Sequence, residues 1–167
     1  MKKTKSYQVK NYVVPLVSGI TGAVALTLTH EIIRRYIPQA PRMDVLGMRA
    51  IARGMYHLNK RPPEEDKLFE YSIIGDLVSN SLYYMLTGTG RHVWWRGTVL
   101  GLAAGVGGVV LPGPMGLGKE PSGRTNATKA MTVALYLLGG LTAAAISRSL
   151  WGKPTIKELD EDNVAVV

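Results

Sequence analysis

Four long apolar stretches place the strongest limit on how this chain can fold. They cover residues 12–29, 68–87, 93–111 and 130–150, and each matches the roughly 17–25 residues that an α-helix needs to cross a bilayer. In lipid a helix satisfies its own backbone hydrogen bonds, which irregular chain does not. The sequence therefore predicts an all-α integral membrane protein with four transmembrane helices.

Composition narrows the class of protein further. The chain has 167 residues, a formal net charge of +8 and no cysteine. Disulfides, thiolate metal sites and cysteine nucleophiles are therefore excluded. In a membrane protein the surplus of positive charge favours contact with anionic lipid head groups over contact with nucleic acid. The predicted partners are the lipid bilayer and its anionic lipids, with no nucleic acid.

The apolar stretches divide the chain into three regions. A basic N-terminal segment, residues 1–11, precedes a membrane domain, residues 12–151, and an acidic flexible tail follows at residues 152–167. Between the first two spans, residues 43–60 are expected to form an amphipathic helix that lies in the membrane interface, with capping of the bundle as the alternative. Basic and aromatic residues of this helix and of the span ends are predicted to contact lipid head groups. They are Arg42, Arg49, Arg53, Lys60, Trp94, Trp95, Arg96, Arg148 and Trp151.

The positive charges do not favour one orientation in the membrane strongly. Lysine and arginine are divided nearly evenly between the two sides of the four spans. The lysines before the first span favour cytoplasmic termini, and the first span often dominates. The basic amphipathic helix favours the opposite orientation, since the cytoplasmic leaflet is the anionic one. We expect both termini in the cytoplasm, with insertion in both orientations as the alternative. The size and style of the chain suggest a bacterial inner membrane.

Small residues on the third and fourth spans predict close helix packing. Glycines recur on one face of the third span, and a glycine pair on the fourth offers a complement, so two backbones can approach closely. These residues are Gly97, Gly101, Gly105, Gly108, Gly139 and Gly140. The short turn at residues 87–92 makes the second and third spans an antiparallel hairpin.

The second span is unusual because a polar stripe follows one of its faces. The stripe includes Ser72, Asp76, Asn80 and Tyr83. Asp76 lies mid-span, where an ionised carboxylate costs at least ~2.5–3.5 kcal/mol on insertion scales. One interpretation is a proton or cation relay that also uses His30 and Glu31 near a membrane face. The alternative is that Asp76 only bonds to a neighbouring helix, and that Glu31 only pairs with an arginine one turn later.

Two segments begin like catalytic motifs, but each lacks a residue that its motif requires. Residues 113–119 have the spacing of a phosphate-binding loop, but Glu120 replaces the hydroxyl residue that holds magnesium. His30 and Glu31 begin a zinc-protease pattern in which Arg34 replaces the second histidine. We therefore predict no catalytic residue, no cofactor and no metal. Residues 40–44 and 118–125 look like specified motifs, although the sequence assigns them no role.

Three functional classes remain. A structural or accessory component that packs through its Gly/Ala helix faces is favoured, as a homo-oligomer or as a subunit of a larger membrane complex. The first alternative is a small homo-oligomeric transporter or channel with Asp76 and Asn80 lining the path. The second is a lipid-modifying membrane enzyme. Whether the protein is an enzyme therefore stays open. The absence of a convincing set of catalytic residues favours a protein that is not an enzyme.

Overall fold

The computed structural model describes residues 2–151, with side chains described from Asn11 onward. Within that range the fold is all-helical, with six helices and no strand. The helices are α1 (Lys2–Tyr36), α2 (Met43–His57), α3 (Glu65–Met85), α4 (Val93–Val110), α5 (Glu120–Gly123) and α6 (Asn126–Trp151). From Lys2 onward the basic N-terminal segment is the start of α1, and the acidic tail predicted for residues 152–167 lies outside the described residues.

Three helices are long and apolar enough to cross a membrane, which is consistent with a membrane location. They are the Asn11–Tyr36 part of α1, α4 and α6. The helical and apolar character predicted for residues 12–29, 93–111 and 130–150 is thereby confirmed, except that α4 ends at Val110. α3 covers most of the remaining predicted span, residues 68–87, and ends at Met85. It does not reach the same apolar character, because its sequence includes Glu70 and Asp76. A fourth span is therefore not established by length and composition.

The four long helices are arranged in the order α3, α1, α6, α4. α1 packs against both α3 and α6, and α4 packs chiefly against α6. Although a short turn joins α3 to α4, these two helices make few contacts with each other. The expected hairpin is thus splayed, and each of its helices has its main neighbour elsewhere in the bundle.

Glycines determine the choice of neighbour for α4. A Cβ atom added at Gly101 would lie 2.7 Å from the Cα of Leu137, and one added at Gly105 would lie 2.7 Å from the Cα of Val133. Gly97 lies directly against the carbonyl oxygen of Gly140. Only a residue without a side chain permits such an approach of two helix backbones. The glycine face of α4 is therefore occupied inside the fold.

The other predicted packing glycines also have neighbours within the chain. A Cβ atom at Gly108 would lie 3.2 Å from the ring of Tyr136, and one at Gly139 would lie 2.7 Å from the ring of Tyr84. Tyr84 is fully buried and belongs to the same core cluster as Ala143 of α6. Small residues on α6 thus create the space that a large aromatic residue of α3 fills.

α2 begins at Met43 and ends at His57, a little before the end predicted at about residue 60. Asn59 adopts a left-handed backbone conformation with φ of 56°. The N–H of Lys60 then donates to the carbonyl oxygen of Met55 at 2.9 Å, and that of Asn59 donates to Tyr56 at 3.0 Å. This is the Schellman arrangement, in which a left-handed residue, often asparagine when it is not glycine, ends a helix.

The two segments that look like specified motifs pack against each other. The N–H of Arg42 donates to the carbonyl oxygen of Pro121 at 2.7 Å. Thr128 Oγ1 donates to the carbonyl oxygen of Gln39 at 2.8 Å, and Arg124 Nη2 donates to that of Pro38 at 2.6 Å. We refer to α2, α5 and residues 37–42 and 111–119 together as the cap layer. This layer closes the end of the bundle at which α1 and α4 terminate and α6 begins.

Candidate functional site

Polar side chains of α1, α2 and α3 meet beneath the cap layer. His30, near the end of α1, is buried, with its Nε2 atom 2.9 Å from the carbonyl oxygen of Pro41. Its Nδ1 atom lies 3.7 Å from Oε1 of Glu31. The imidazole therefore joins α1 to the segment that leads into α2, and it does so inside the protein rather than on a membrane-facing surface.

Glu31 is held by an arginine of its own helix. Arg34 donates from Nε and from Nη2 to the two carboxylate oxygens of Glu31, each at 2.7 Å. This is the pairing that their spacing of three residues predicts. The guanidinium group also lies 5.5 Å from the centre of the Phe69 ring on α3. Since both oxygens of Glu31 are engaged, this carboxylate already has its counter-charge.

Two arginine guanidinium groups lie beside the carboxylate of Asp44. Arg42 Nη2 donates to Asp44 Oδ2 at 2.7 Å, and Arg34 Nη1 lies 3.7 Å from the same oxygen. Burial alone would raise the pKa of Asp44. The hydrogen bonds and the charge of Arg42, the Val45 backbone N–H and the charge of Arg34 outweigh burial, so its pKa lies below the usual value. Arg34 thus connects the end of α1 to the start of α2.

The polar stripe of α3 begins at its contact with α2. Ser72 is buried and its hydroxyl group donates to the carbonyl oxygen of Asp44 at 3.2 Å. Gly47 of α2 lies directly against that hydroxyl group, with no room for a side chain. The role of Ser72 in this structure is therefore to dock α2 onto α3.

Asp76 occupies the next position of the stripe and differs from the other two carboxylates. Its Oδ1 atom accepts a hydrogen bond from Asn80 Nδ2 at 2.9 Å. The imidazole of His30 and the phenol groups of Tyr84 and Tyr136 lie in the same neighbourhood. Among the residues whose side chains are described, none forms an ion pair with Asp76. Its hydrogen bond comes from its own helix rather than from a neighbouring one.

Two adjacent tyrosines close the other end of the stripe. Tyr83 donates its hydroxyl hydrogen to the carbonyl oxygen of Leu100 on α4 at 3.0 Å. Tyr84 donates to the carbonyl oxygen of Tyr136 on α6 at 2.7 Å. Tyr84 and Tyr136 are absent from the sequence-based site. The available signal was helical spacing, since Tyr84 follows Asn80 by one turn on the same face.

The predicted interface residues fall into two groups. Several arginines donate to backbone carbonyl oxygens of the protein: Arg49 to Leu117 at 2.8 Å, Arg53 to Gly116 at 3.5 Å, and Arg96 to Thr87 and Thr89, each at 3.3 Å. Arg42 pairs with Asp44, as described above. Lys60, Trp94, Trp95 and Arg148 are exposed, and Trp151 is half-buried. Arg49 and Arg53 of α2 thus contact the loop that follows α4, although both side chains remain exposed.

In the glycine-rich loop that resembles a phosphate-binding loop, backbone N–H groups donate hydrogen bonds to carbonyl oxygens of the loop itself. Gly116 donates to the carbonyl oxygen of Gly113 at 2.9 Å, and Leu117 donates to that of Pro112 at 2.8 Å. Gly116 and Gly118 have positive φ angles of 71° and 87°, which glycine tolerates and which turn the loop back on itself. Within residues 11–151 no group of three His, Asp or Glu side chains is placed to hold a metal ion.

Comparison of the chain with protein-family models, with curated proteins and with solved structures finds no match. Function must therefore be inferred from the residues themselves. The feature that stands apart is the contrast between Glu31 and Asp44, which each have an arginine, and Asp76, which has none among the described residues.

Proposed function

We propose that this chain is an integral membrane protein with four spans, α3 being the fourth, and that it conducts protons or small cations through a site formed by Asp76, Asn80 and His30. The proposal further places the protein in a bacterial inner membrane with both termini in the cytoplasm. The lysines before the first span support that orientation.

The observation that carries the proposal is the isolation of Asp76. A carboxylate inside a membrane helix is expensive unless it is protonated, paired with a cation or exposed to water. The chain supplies arginines to Glu31 and to Asp44 but leaves Asp76 with Asn80 and His30. A carboxylate in that condition binds a proton or a cation reversibly, which is what a relay requires.

The arrangement of the helices supports movement beside this site. α3 and α4 make few contacts with each other, so they can separate at smaller cost than the glycine-packed pair α4 and α6. Four helices rarely enclose a path alone, so the proposal includes a homo-oligomer. Gly75 and Ser79 lie one turn apart on the exposed face of α3, and nothing lies within 4 Å of the place where a Gly75 Cβ atom would be. A second copy can approach α3 closely there.

The same exposed face of α3 favours a second candidate function, a structural or accessory subunit of a larger complex. The glycines of α4 and α6 that first suggested this role are occupied inside the fold. Gly75 and Ser79 remain available, and their small side chains suit contact with a helix of another protein. Among the described residues, two candidate groups of a lipid-modifying enzyme are already engaged, since Glu31 is bound by Arg34 and His30 Nε2 lies on a backbone carbonyl.

Flux through liposomes tests the proposal. The purified protein is reconstituted with a pH-sensitive dye inside the vesicles, and proton or alkali-cation movement is followed after a membrane potential is imposed. Asp76→Asn is expected to abolish flux while the protein still elutes and melts like the wild type. Asp66→Asn, the same change at an exposed position of α3, is the matched control and should retain flux.

Two results would overturn the proposal. One is the absence of any ion-dependent flux in well-folded wild-type protein. The other is unchanged flux in Asp76→Asn. Recovery of a stoichiometric larger partner from native membranes, together with either result, would move the accessory role to first place.

A further inference from the structure

A surface groove with a volume of about 510 Å³ runs between α4 and α6 at the end of the bundle near the cap layer. Val106 and Val110 form one wall, and Val133, Ala134 and Leu137 form the other, with Lys129 also lining it. Lys129 and Leu137 are eight residues apart on α6, which corresponds to roughly 12 Å along the helix. The groove is therefore elongated, apolar over most of its length and basic at one end.

The groove lies between two helices that are long and apolar enough to cross a membrane. Val106 and Val110 remain more than half exposed, at 52% and 57%. Contact with hydrocarbon instead of water lowers the free energy of apolar surface of this kind. The volume of the groove also lies within the range of about 300–1,000 Å³ that is typical of binding sites for small molecules. An acyl chain matches both the shape of the groove and its surroundings.

The positive charge of Lys129, at one end of the groove, favours anionic lipids over other lipids. Lys129 is exposed and, within the part of the chain whose side chains are described, forms no ion pair. Its methylene stem lies near Gly123, since a Cβ atom at that glycine would be 3.9 Å from Lys129 Cγ and Cε. The same added Cβ atom would lie 3.8 Å from Cγ1 of Val109 on α4. A long basic side chain in this position places its apolar stem along the helix surface and its ammonium group at head-group depth.

We propose that the groove binds one acyl chain of an anionic glycerophospholipid, with the lipid phosphate on the ammonium group of Lys129. The site differs from general contact with the bilayer because one end is charged and the walls have a defined length. It is also separate from Asp76 and does not depend on ion conduction.

Native mass spectrometry in detergent tests this site with phosphatidylglycerol and phosphatidylcholine, added singly at equal concentration. The wild type is expected to retain phosphatidylglycerol more strongly. Lys129→Gln should weaken phosphatidylglycerol binding about fivefold, as expected for one lysine at an anionic lipid. Phosphatidylcholine binding should weaken less, because the choline cation already offsets the charge of its phosphate. Lys67→Gln, at an exposed position of α3 outside the groove, is the matched control and should bind as the wild type does.

A second variant tests the apolar part of the site. Ala134→Leu fills the groove and is expected to reduce retention of both lipids, whereas Ala103→Leu, on the exposed face of α4 outside the groove, should not. Equal retention of the two lipids by the wild type would overturn the proposal. So would unchanged phosphatidylglycerol binding in Lys129→Gln, or unchanged binding of both lipids in Ala134→Leu.

Discussion

Arg42 and Asp44 are separated by one residue, yet Arg42 Nη2 lies 2.7 Å from Asp44 Oδ2 in a contact that fixes the start of α2. The Asp44 side chain is only 3% exposed, while that of Arg42 is 51% exposed. The backbone N–H of the same arginine donates to Pro121, and the carbonyl oxygen of Asp44 accepts from Ser72. The two residues of this ion pair thus also join the start of α2 to α5 and to α3, through their backbone groups.

Replacement of Asp44 by Asn is expected to lower the free energy of unfolding by about 2 kcal/mol at pH 7, the usual scale for hydrogen bonds to a charged group. Because the pKa of Asp44 is lowered in the folded protein, the carboxylate stabilises the fold above its unfolded pKa of roughly 3.9. That contribution is lost as the pH falls through the folded pKa. Thermal unfolding in detergent at pH 7 and at successively lower pH values measures it.

The difference in melting temperature between wild type and Asp44→Asn should therefore shrink as the solution is acidified below about pH 4. Glu64→Gln removes a carboxylate at an exposed position and serves as the control, with little effect at any pH. A wild-type-to-variant difference that stays constant down to the acid limit would show that the charge of Asp44 does not stabilise the fold.

Gly101→Ala is expected to destabilise the bundle, since its Cβ atom would lie 2.7 Å from the Cα of Leu137 and 2.9 Å from the carbonyl oxygen of Tyr136. Overpacking of this kind costs about 1–3 kcal/mol. Gly75→Ala is the matched control, because nothing lies within 4 Å of its Cβ position and alanine is intrinsically the better helix former. The melting temperature in detergent should fall for Gly101→Ala and hold or rise for Gly75→Ala. Equal effects would mean that α4 does not rely on this backbone contact.

Local sequence patterns predict the apolar helices well because each of those helices is specified by its own composition. The Glu31–Arg34 pair is equally local, since both residues lie on one helix face. The neighbour of α4 is not local: its glycine face could pack on any helix with small residues, and it packs on α6 rather than on α3 across the short turn. The Gly139–Gly140 pair of the fourth span predicts α6 as a complement to this face, whereas the short turn favours α3 as the neighbour.

Contacts between distant parts of the chain also explain which features of the structure the sequence did not predict. The bond between Arg42 and Pro121 joins segments almost eighty positions apart, and no periodicity within either segment indicates it. Tyr84 is buried against α6 only because Gly139 leaves space for its ring. The end of α2 at Asn59 depends on a left-handed conformation, which a pattern of apolar and basic residues does not report.

Tyr84→Phe is expected to lower the free energy of unfolding by about 1 kcal/mol, the usual net value of a neutral hydrogen bond. The variant loses the 2.7 Å bond from the tyrosine hydroxyl group to the carbonyl oxygen of Tyr136 while keeping the buried ring. Tyr71→Phe removes a hydroxyl group from a half-exposed tyrosine of the same helix and should have little effect. Melting temperatures of the two variants in one detergent give the comparison, and indistinguishable values would deny the bond a role in stability.

Cysteine labelling decides whether α3 crosses the membrane, and the chain suits the experiment because it has no cysteine of its own. Lys60 and Lys119 lie at the end of the bundle near the cap layer, whereas Arg91 lies in the turn between α3 and α4, and all three are exposed. With four spans, Lys60→Cys and Lys119→Cys should react with an impermeant maleimide from one side of the membrane, and Arg91→Cys only from the other. If α3 does not cross, Arg91→Cys should instead react from the same side as Lys60→Cys, and Lys119→Cys from the opposite side. The grouping of Lys60 with Lys119 or with Arg91 therefore separates four spans from three, whichever way the protein is oriented.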